Sequence, residues 1–124
     1  MNENIKRVDK PWGHEIWWAR TDRYVGKILH IKAGESLSLQ YHNVKDETIM
    51  VSSGKLLFET GPKDDPTNLT RHDMGPGDVF HITPHTVHRM TGVTDVDLVE
   101  VSTPELDDVV RLEDRYGRAG TSKP

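Results

Sequence analysis

The feature that most constrains the fold is a series of short β-forming segments, each ended by turn residues, that runs through almost the whole chain. The segments are rich in Val, Ile, Leu and aromatic residues, and Gly, Pro, Asn or Asp stands between them. No amphipathic helical pattern of any length interrupts the series. We predict strands at 15–19, 24–32, 37–42, 47–51, 56–60, 69–74, 79–82, 87–91, 96–101 and 109–112.

Many short strands at close spacing predict an antiparallel sandwich or barrel. With roughly ten strands, a jelly roll of two sheets also limits the number of exposed strand edges. A chain of 124 residues is the size of one domain with one core. We therefore expect an all-β jelly-roll barrel in a single domain, ordered from about residue 10 to residue 118. We expect residues 1–10 to lie across the surface and residues 119–124 to form a frayed tail.

The composition excludes several classes of function. The chain has 16 basic and 20 acidic residues, a net charge of −4 and no basic run, which argues against nucleic acid or an anionic membrane as a partner. The absence of cysteine excludes disulfides, thiolate chemistry and cysteine-ligated zinc. No apolar run resembles a signal peptide or a membrane span, so we expect a cytoplasmic protein.

The stretch from 34 to 54 carries the best candidates for chemistry. Strict alternation from 37 to 42 places Gln40 and His42 on the same face of a strand, opposite an apolar face. After a polar break, Glu47 opens the next strand. We predict that the two strands form a hairpin that brings these three side chains together. Their N and O ligands suit a borderline or hard divalent metal.

His88 is the candidate for a fourth ligand. It begins a strand after a proline turn at Pro84, and two hairpins on one wall of the barrel would point it toward the other three side chains. A lone His in a strand is more often a surface or hydrogen-bonded residue. The spacing alone therefore leaves both a metal site and a chance grouping open.

The segments 34–54 and 77–88 resemble the two motifs of the cupin superfamily, which implies the double-stranded β-helix form of the jelly roll. Glu47 and Gly54 keep the spacing that ends the first motif. Gln40 stands where the usual pattern has its first His, and this variant resembles the zinc site of phosphomannose isomerases.

A narrower resemblance covers nearly the whole chain. The residues at 10–13, 32–42, 75–78, 88–89 and 113–118 are similar to those of the cupin domain of type II mannose-6-phosphate isomerases. That domain usually follows a guanylyltransferase domain, which these 124 residues do not contain. The resemblance implies one divalent metal, with zinc first and manganese, iron or nickel as alternatives. It implies the ligands Gln40, His42, Glu47 and His88.

An aldose–ketose isomerase must move a proton between two neighbouring carbons while a metal polarises the carbonyl and stabilises the enediolate. Glu100 is our candidate for the general base, because it shares a strand face with Leu98 and the resemblance places a Glu there. Lys27 matches a Lys of the family and is our candidate for substrate contact or proton movement. A surface Glu and a solvated Lys are the simpler alternatives.

A sugar phosphate also needs cations. We assign Arg115 of the matched terminal motif to the catalytic group, with a salt bridge to Asp114 or Glu113 as the alternative. The remaining candidates for substrate binding are Arg89, Arg111 and Arg118.

The leading hypothesis is a metal-dependent sugar or sugar-phosphate isomerase that acts on a small molecule. An iron-dependent cupin oxygenase is a second possibility. The third is a non-enzymatic cupin that binds a metal or a sugar, which Asn43 and Val44 favour because the family has further His residues there. By resemblance we also expect a homodimer.

Overall fold

The computed structural model describes residues 5–120, which form eleven strands and no helix. The strands are β1 (Lys6–Lys10), β2 (Gly13–Arg20), β3 (Val25–Ile31), β4 (Leu39–Tyr41), β5 (Glu47–Ser53), β6 (Leu56–Pro62), β7 (Thr70–Met74), β8 (Val79–Ile82), β9 (Thr86–Gly92), β10 (Val96–Ser102) and β11 (Val110–Glu113). Nothing in this part of the chain is a helix of the length and apolarity that a membrane crossing needs.

The strands form two antiparallel sheets. The large sheet has the order β1-β2-β3-β10-β5-β8, and the small sheet has the order β11-β4-β9-β6-β7. The prediction of an all-β, two-sheet jelly roll is therefore confirmed. Of the predicted tail at 119–124, residues 121–124 lie outside the described part of the chain.

The interior of the barrel changes from apolar to polar along the strands of the large sheet. In β10, Leu98 faces the core, and Glu100, two residues later, also faces inward. In the antiparallel β3, Leu29 faces the core, and Lys27, two residues earlier, lies on the same side. Side chains two residues apart share a face of a strand, so both pairs lie inside the barrel. One end of the interior is filled by Ile31, Ile49, Val51, Leu56, Phe58, Ile82 and Leu98. The other end is left for a polar site.

The strand at Lys6–Lys10 was not predicted, because the segment shows no apolar alternation. Within residues 5–120 it is an edge strand that pairs only with β2, and three of its five residues are exposed. Backbone hydrogen bonds, more than side-chain burial, hold such an edge, and a sequence pattern records burial only.

The predicted hairpin between the segments at 37–42 and 47–51 is wrong. β4 pairs with β9 and β11 in the small sheet, whereas β5 pairs with β10 and β8 in the large sheet. The residues between β4 and β5 therefore cross from one sheet to the other. A polar break after an alternating strand is equally compatible with a hairpin turn and with such a crossing. As a result His42 and Glu47 approach each other from opposite walls, not from one.

Candidate metal centre

Three buried side chains meet at the polar end of the barrel. His42 lies just after β4, Glu47 begins β5 and His88 lies in β9, and their ligand atoms all fall within 4.8 Å of one another. The Nε2 atom of His42 lies 3.6 Å from Oε2 of Glu47, and the Nε2 atom of His88 lies 3.6 Å from Oε1 of the same carboxylate. Donor atoms that share one zinc ion at about 2.0–2.2 Å lie roughly 3–3.5 Å apart, so the three groups need to move little to hold one.

Both imidazole rings are held in the orientation that a metal ligand requires. The Nδ1 atom of His42 donates to the carbonyl of Asp108 over 2.5 Å, and the Nδ1 atom of His88 donates to the carbonyl of Thr86 over 2.9 Å. Because a carbonyl only accepts, each Nδ1 carries the proton and each Nε2 keeps a lone pair. Both Nε2 atoms are buried and have no hydrogen-bond partner among residues 5–120. Two unpartnered lone pairs beside a carboxylate fit a divalent cation.

Gln40 lies next to this group. It is paired directly with His88 across β4 and β9, and it lines the same cleft. Its Oε1 atom accepts a hydrogen bond of 2.6 Å from Ser38 Oγ, which orients the amide. The structure thus brings three of the four predicted ligands within 4.8 Å of one another and places Gln40 on the neighbouring strand position, and their role as a ligand set stays a prediction.

The electrostatics keep the group ready to bind a cation at neutral pH. Burial lowers the pKa of His42 to about 4; the negative charge of Glu47 opposes this shift, and the positive charge of Lys45 adds to it. Burial also lowers the pKa of His88. For Glu47 burial alone would raise the pKa, but Lys45 and the two histidines lower it to about 2. Neutral rings and an ionised carboxylate are the protonation states that ligate a metal.

Lys45 is buried in the middle of the site. Its Nζ atom lies 2.9 Å from Oε2 of Glu47 and 3.5 Å from Oε2 of Glu100, and it is 8% exposed. Burial would lower the pKa of Lys45, but the charges of the two carboxylates raise it. The lysine therefore stays charged and connects the proposed ligand to the proposed base.

Glu100 and Lys27 both line the cleft. Burial raises the pKa of Glu100, the charge of Lys45 opposes this and that of Glu47 adds to it. Lys27 is 5% exposed, and its Nζ atom lies 3.2 Å from Glu15 Oε1, which also accepts a hydrogen bond from Trp17 Nε1. Neither residue is the solvated surface group that the simpler alternatives describe.

Of the four candidate arginines, two line the cleft and two lie outside it. Arg111 and Arg118 line the cleft, together with Lys10. The guanidinium of Arg118 donates to both carboxylate oxygens of Asp114, at 2.8 and 3.0 Å. Burial lowers the pKa of Arg111, and the positive charge of Arg118 adds to this effect.

Arg89 and Arg115 lie elsewhere. Arg89 follows the inward-facing His88, so its side chain is on the outer face of the small sheet, where it forms a two-pronged ion pair with Glu59 at 2.9 and 3.2 Å. The Nη1 atom of Arg115 donates to the carbonyl of Gly34 over 2.7 Å, and the residue is exposed. Both line a separate outer groove. The structure does not bring them into the cleft, and our proposal for the site omits them.

Four residues of the site were not found from the sequence. Lys45 lies in the polar break, Glu15 lies in a strand with no distinctive motif, and Asp108 lies in a connection. Lys10 begins the matched segment 10–13 but was given no role there. Lys45 stands two residues before the predicted ligand Glu47, and this spacing could have indicated that the two side chains lie on the same side of the chain. The contribution of the other three depends on long-range pairing that no local pattern records.

Comparisons with known proteins identify the family. Residues 1–114 match the family model described as mannose-6-phosphate isomerase C-terminal. The chain belongs to this family. It is 33% identical over 126 residues to the mannose-1-phosphate guanylyltransferase ManC of Salmonella typhimurium, covering 91% of this chain and 23% of that protein. It is 32% identical over 127 residues to the alginate biosynthesis protein AlgA of Pseudomonas aeruginosa, covering 98% and 24%.

The chain therefore spans about a quarter of the length of these relatives. Among solved structures, an RmlC-like cupin from Shewanella frigidimarina superimposes with a TM-score of 0.68 at 15% identity, covering 84% of this chain and 87% of that one. This likeness shows the cupin fold alone. The cupin resemblance that the sequence predicted is confirmed, and the chain is a cupin domain of a carbohydrate-metabolism family.

Proposed function

We propose that this domain is a metal-dependent isomerase that interconverts an aldose and a ketose, with a sugar or sugar phosphate as substrate. The observation that carries the proposal is the placement of a buried carboxylate, Glu100, in the same cleft as His42 and Glu47, with His88 directly behind them. The Nε2 atoms of both histidines have no partner in residues 5–120. A proton-transfer group beside a cation site is what this reaction class requires.

The residues that would hold the ion are His42, Glu47 and His88, with Gln40 beside them. A divalent ion bound there supplies a Lewis acid that polarises a carbonyl. Zinc is our first choice because the donors are nitrogen and oxygen, and manganese, iron and nickel accept the same set.

Glu100 is the proton-transfer group of the proposal. Its raised pKa allows the carboxyl to take a proton from one substrate carbon and return it to the neighbouring carbon. Lys45 contacts Glu100 through Oε2 and so orients the carboxylate. Lys27, paired with Glu15 on the adjacent strand, lies opposite Glu100 in the register of β3 and β10 and can donate to a substrate oxygen.

A phosphate group would lie against the cationic wall formed by Arg111 and Arg118. Both side chains reach the cleft from β11 and the turn after it, whereas Glu100 reaches it from the opposite sheet. A substrate held at its phosphate by this wall would place its other end toward the proposed metal.

The two positions where the family has further His residues, Asn43 and Val44, lie outside the cleft. Asn43 and Val44 are exposed, Val44 to 60%, and neither lines the cleft. Their side chains therefore do not remove a group from the site described here, which favours the isomerase over a binding protein without turnover.

The test is a sugar-phosphate isomerase panel on metal-reconstituted protein, with mannose 6-phosphate and fructose 6-phosphate included. We expect turnover that Glu100→Gln reduces by about 10²-fold or more while the bound metal is retained. Glu113→Gln, an exposed carboxylate outside the cleft, is the matched control. Metal and sugar binding without turnover would instead identify a non-enzymatic cupin, and oxygen consumption with iron alone would identify an oxygenase.

We also propose a homodimer, in keeping with the resemblance, and a cytoplasmic location. The outer face of the large sheet supports the dimer, because Ile28, Val99, Met50 and Val79 stand opposite one another across four strands. Met50 and Val79 are 41% and 59% exposed. Val79→Arg should convert a dimer to a monomer in light scattering, whereas Val93→Arg, in a turn, should not.

A further inference from the structure

Asp108 lies in the connection between β10 and β11, outside every motif, yet it contacts the metal-bearing segment at several points. It faces the residues that cross from the small sheet to the large sheet, between His42 and Glu47. These crossing residues belong to neither sheet, so their backbone N–H groups need partners from elsewhere.

The carboxylate of Asp108 supplies these partners. Its Oδ1 atom accepts a hydrogen bond from the N–H of Asn43 at 3.0 Å, and its Oδ2 atom accepts from the N–H groups of Val44 at 2.6 Å and Lys45 at 2.8 Å. Three successive amides that converge on one anion form a backbone nest, and hydrogen bonds to an ionised acceptor are stronger than neutral ones. One side chain therefore holds the three successive amides from Asn43 to Lys45, and Thr103 Oγ1 accepts the next N–H, that of Asp46.

The main chain of the same residue orients a proposed ligand. The carbonyl of Asp108 accepts the Nδ1 proton of His42, which leaves Nε2 as the lone-pair atom. Partners of this kind fix both the tautomer and the ring orientation of metal-ligating histidines. Asp108 thus acts on the backbone that carries Lys45 and on the ring of His42 together.

We propose that Asp108 is a positioning residue of the metal centre: it holds the 42–47 crossing and the His42 ring in the binding geometry, so that metal affinity depends on its carboxylate. This inference rests on the proposed metal site. Asp108 is also close to the substrate cleft, because Val109 and Arg111, which follow it in the chain, line the cleft.

The test compares the zinc affinity of the wild-type protein, Asp108→Asn and Asp107→Asn in competition with a chelating indicator. Asp107 is the matched control because it is an adjacent, exposed aspartate and its replacement removes the same charge. We expect Asp108→Asn to weaken zinc binding by about 10-fold, the low end of the range for loss of a ligand's partner, because the carbonyl that accepts the His42 proton remains but the segment around it is no longer held by the carboxylate. Asp107→Asn should change zinc affinity by less than about twofold. Equal affinity in all three proteins, with circular dichroism showing folded chains, would overturn the proposal.

A second measurement separates positioning from general stabilisation, and its first part uses the wild-type protein alone. In chelator-treated wild-type protein, nitrogen-15 NMR of the histidine rings should show His42 as the Nδ1–H tautomer, and Asp108→Asn should show a mixture of tautomers. A wild-type ring protonated at Nε2 contradicts the proposal. His42→Ala separates the failure of the metal site from the failure of the role of Asp108. If His42→Ala leaves zinc binding intact, the proposed metal site is wrong. If His42→Ala abolishes zinc binding and Asp108→Asn does not change it, only the role of Asp108 is wrong.

Discussion

Lys45→Met is the substitution whose effect follows most directly from the structure. The ammonium lies between Glu47 and Glu100, at 2.9 and 3.5 Å, and the three side chains are no more than 10% exposed. Removing one partner from a buried ion pair costs about 3–5 kcal/mol, because the remaining charge is left buried without a counter-charge. Glu100 can take up a proton, since its pKa is already raised, so we expect the lower part of that range.

A bound divalent cation should reduce this cost. The proposed ion and the ammonium both neutralise Glu47, so a metal supplies part of the charge that the substitution removes. Urea unfolding followed by tryptophan fluorescence, with a chelator and with saturating zinc, measures both states. We expect the loss in the free energy of unfolding to be clearly larger with the chelator than with zinc. Lys55→Met, an exposed lysine, is the control and should change the free energy by less than about 0.5 kcal/mol. An equal loss with and without zinc, or no loss at all, would refute this reasoning.

Three further predictions follow from single contacts. The depressed pKa of His42 means that the unfolded chain binds the proton more tightly; in chelator-treated protein His42 alone should lower the free energy of unfolding by about 3 kcal/mol between about pH 6.5 and pH 4. The lowered pKa of His88 adds to this loss, and the raised pKa of Glu100 opposes it. Urea titrations along this range check it, and a stability that rises as the pH falls would contradict it. Gly54→Ala should lower the melting temperature more than Gly34→Ala, because both have positive φ but only a Cβ at Gly54 would meet a backbone oxygen, at 2.0 Å; equal effects would count against this. Arg111→Met should raise KM for a sugar phosphate, whereas Arg89→Met should change KM by less than about twofold. Steady-state kinetics measure both values, and a larger rise for Arg89→Met would contradict the proposed position of the phosphate.

The sequence predicted the class of fold and the members of the site better than the way they are connected. Ten of the strands appear as segments of β-forming residues, since alternation reports which side chains are buried. The crossing between Gln40 and Glu47 was not predictable, because strand pairing depends on partners far away in the chain. The same limit hid Asp108, which acts through backbone amides, and misplaced Arg89, whose neighbour His88 is on the inner face.

The central claim is that His42, Glu47 and His88 hold one divalent metal. Elemental analysis of protein reconstituted with zinc and then desalted tests it most directly. We expect about one equivalent per chain in the wild-type protein and close to none in His42→Ala and His88→Ala, with circular dichroism showing that both variants are folded. A wild-type protein that retains no zinc, manganese, iron or nickel, or variants that retain as much metal as the wild type, would contradict the account.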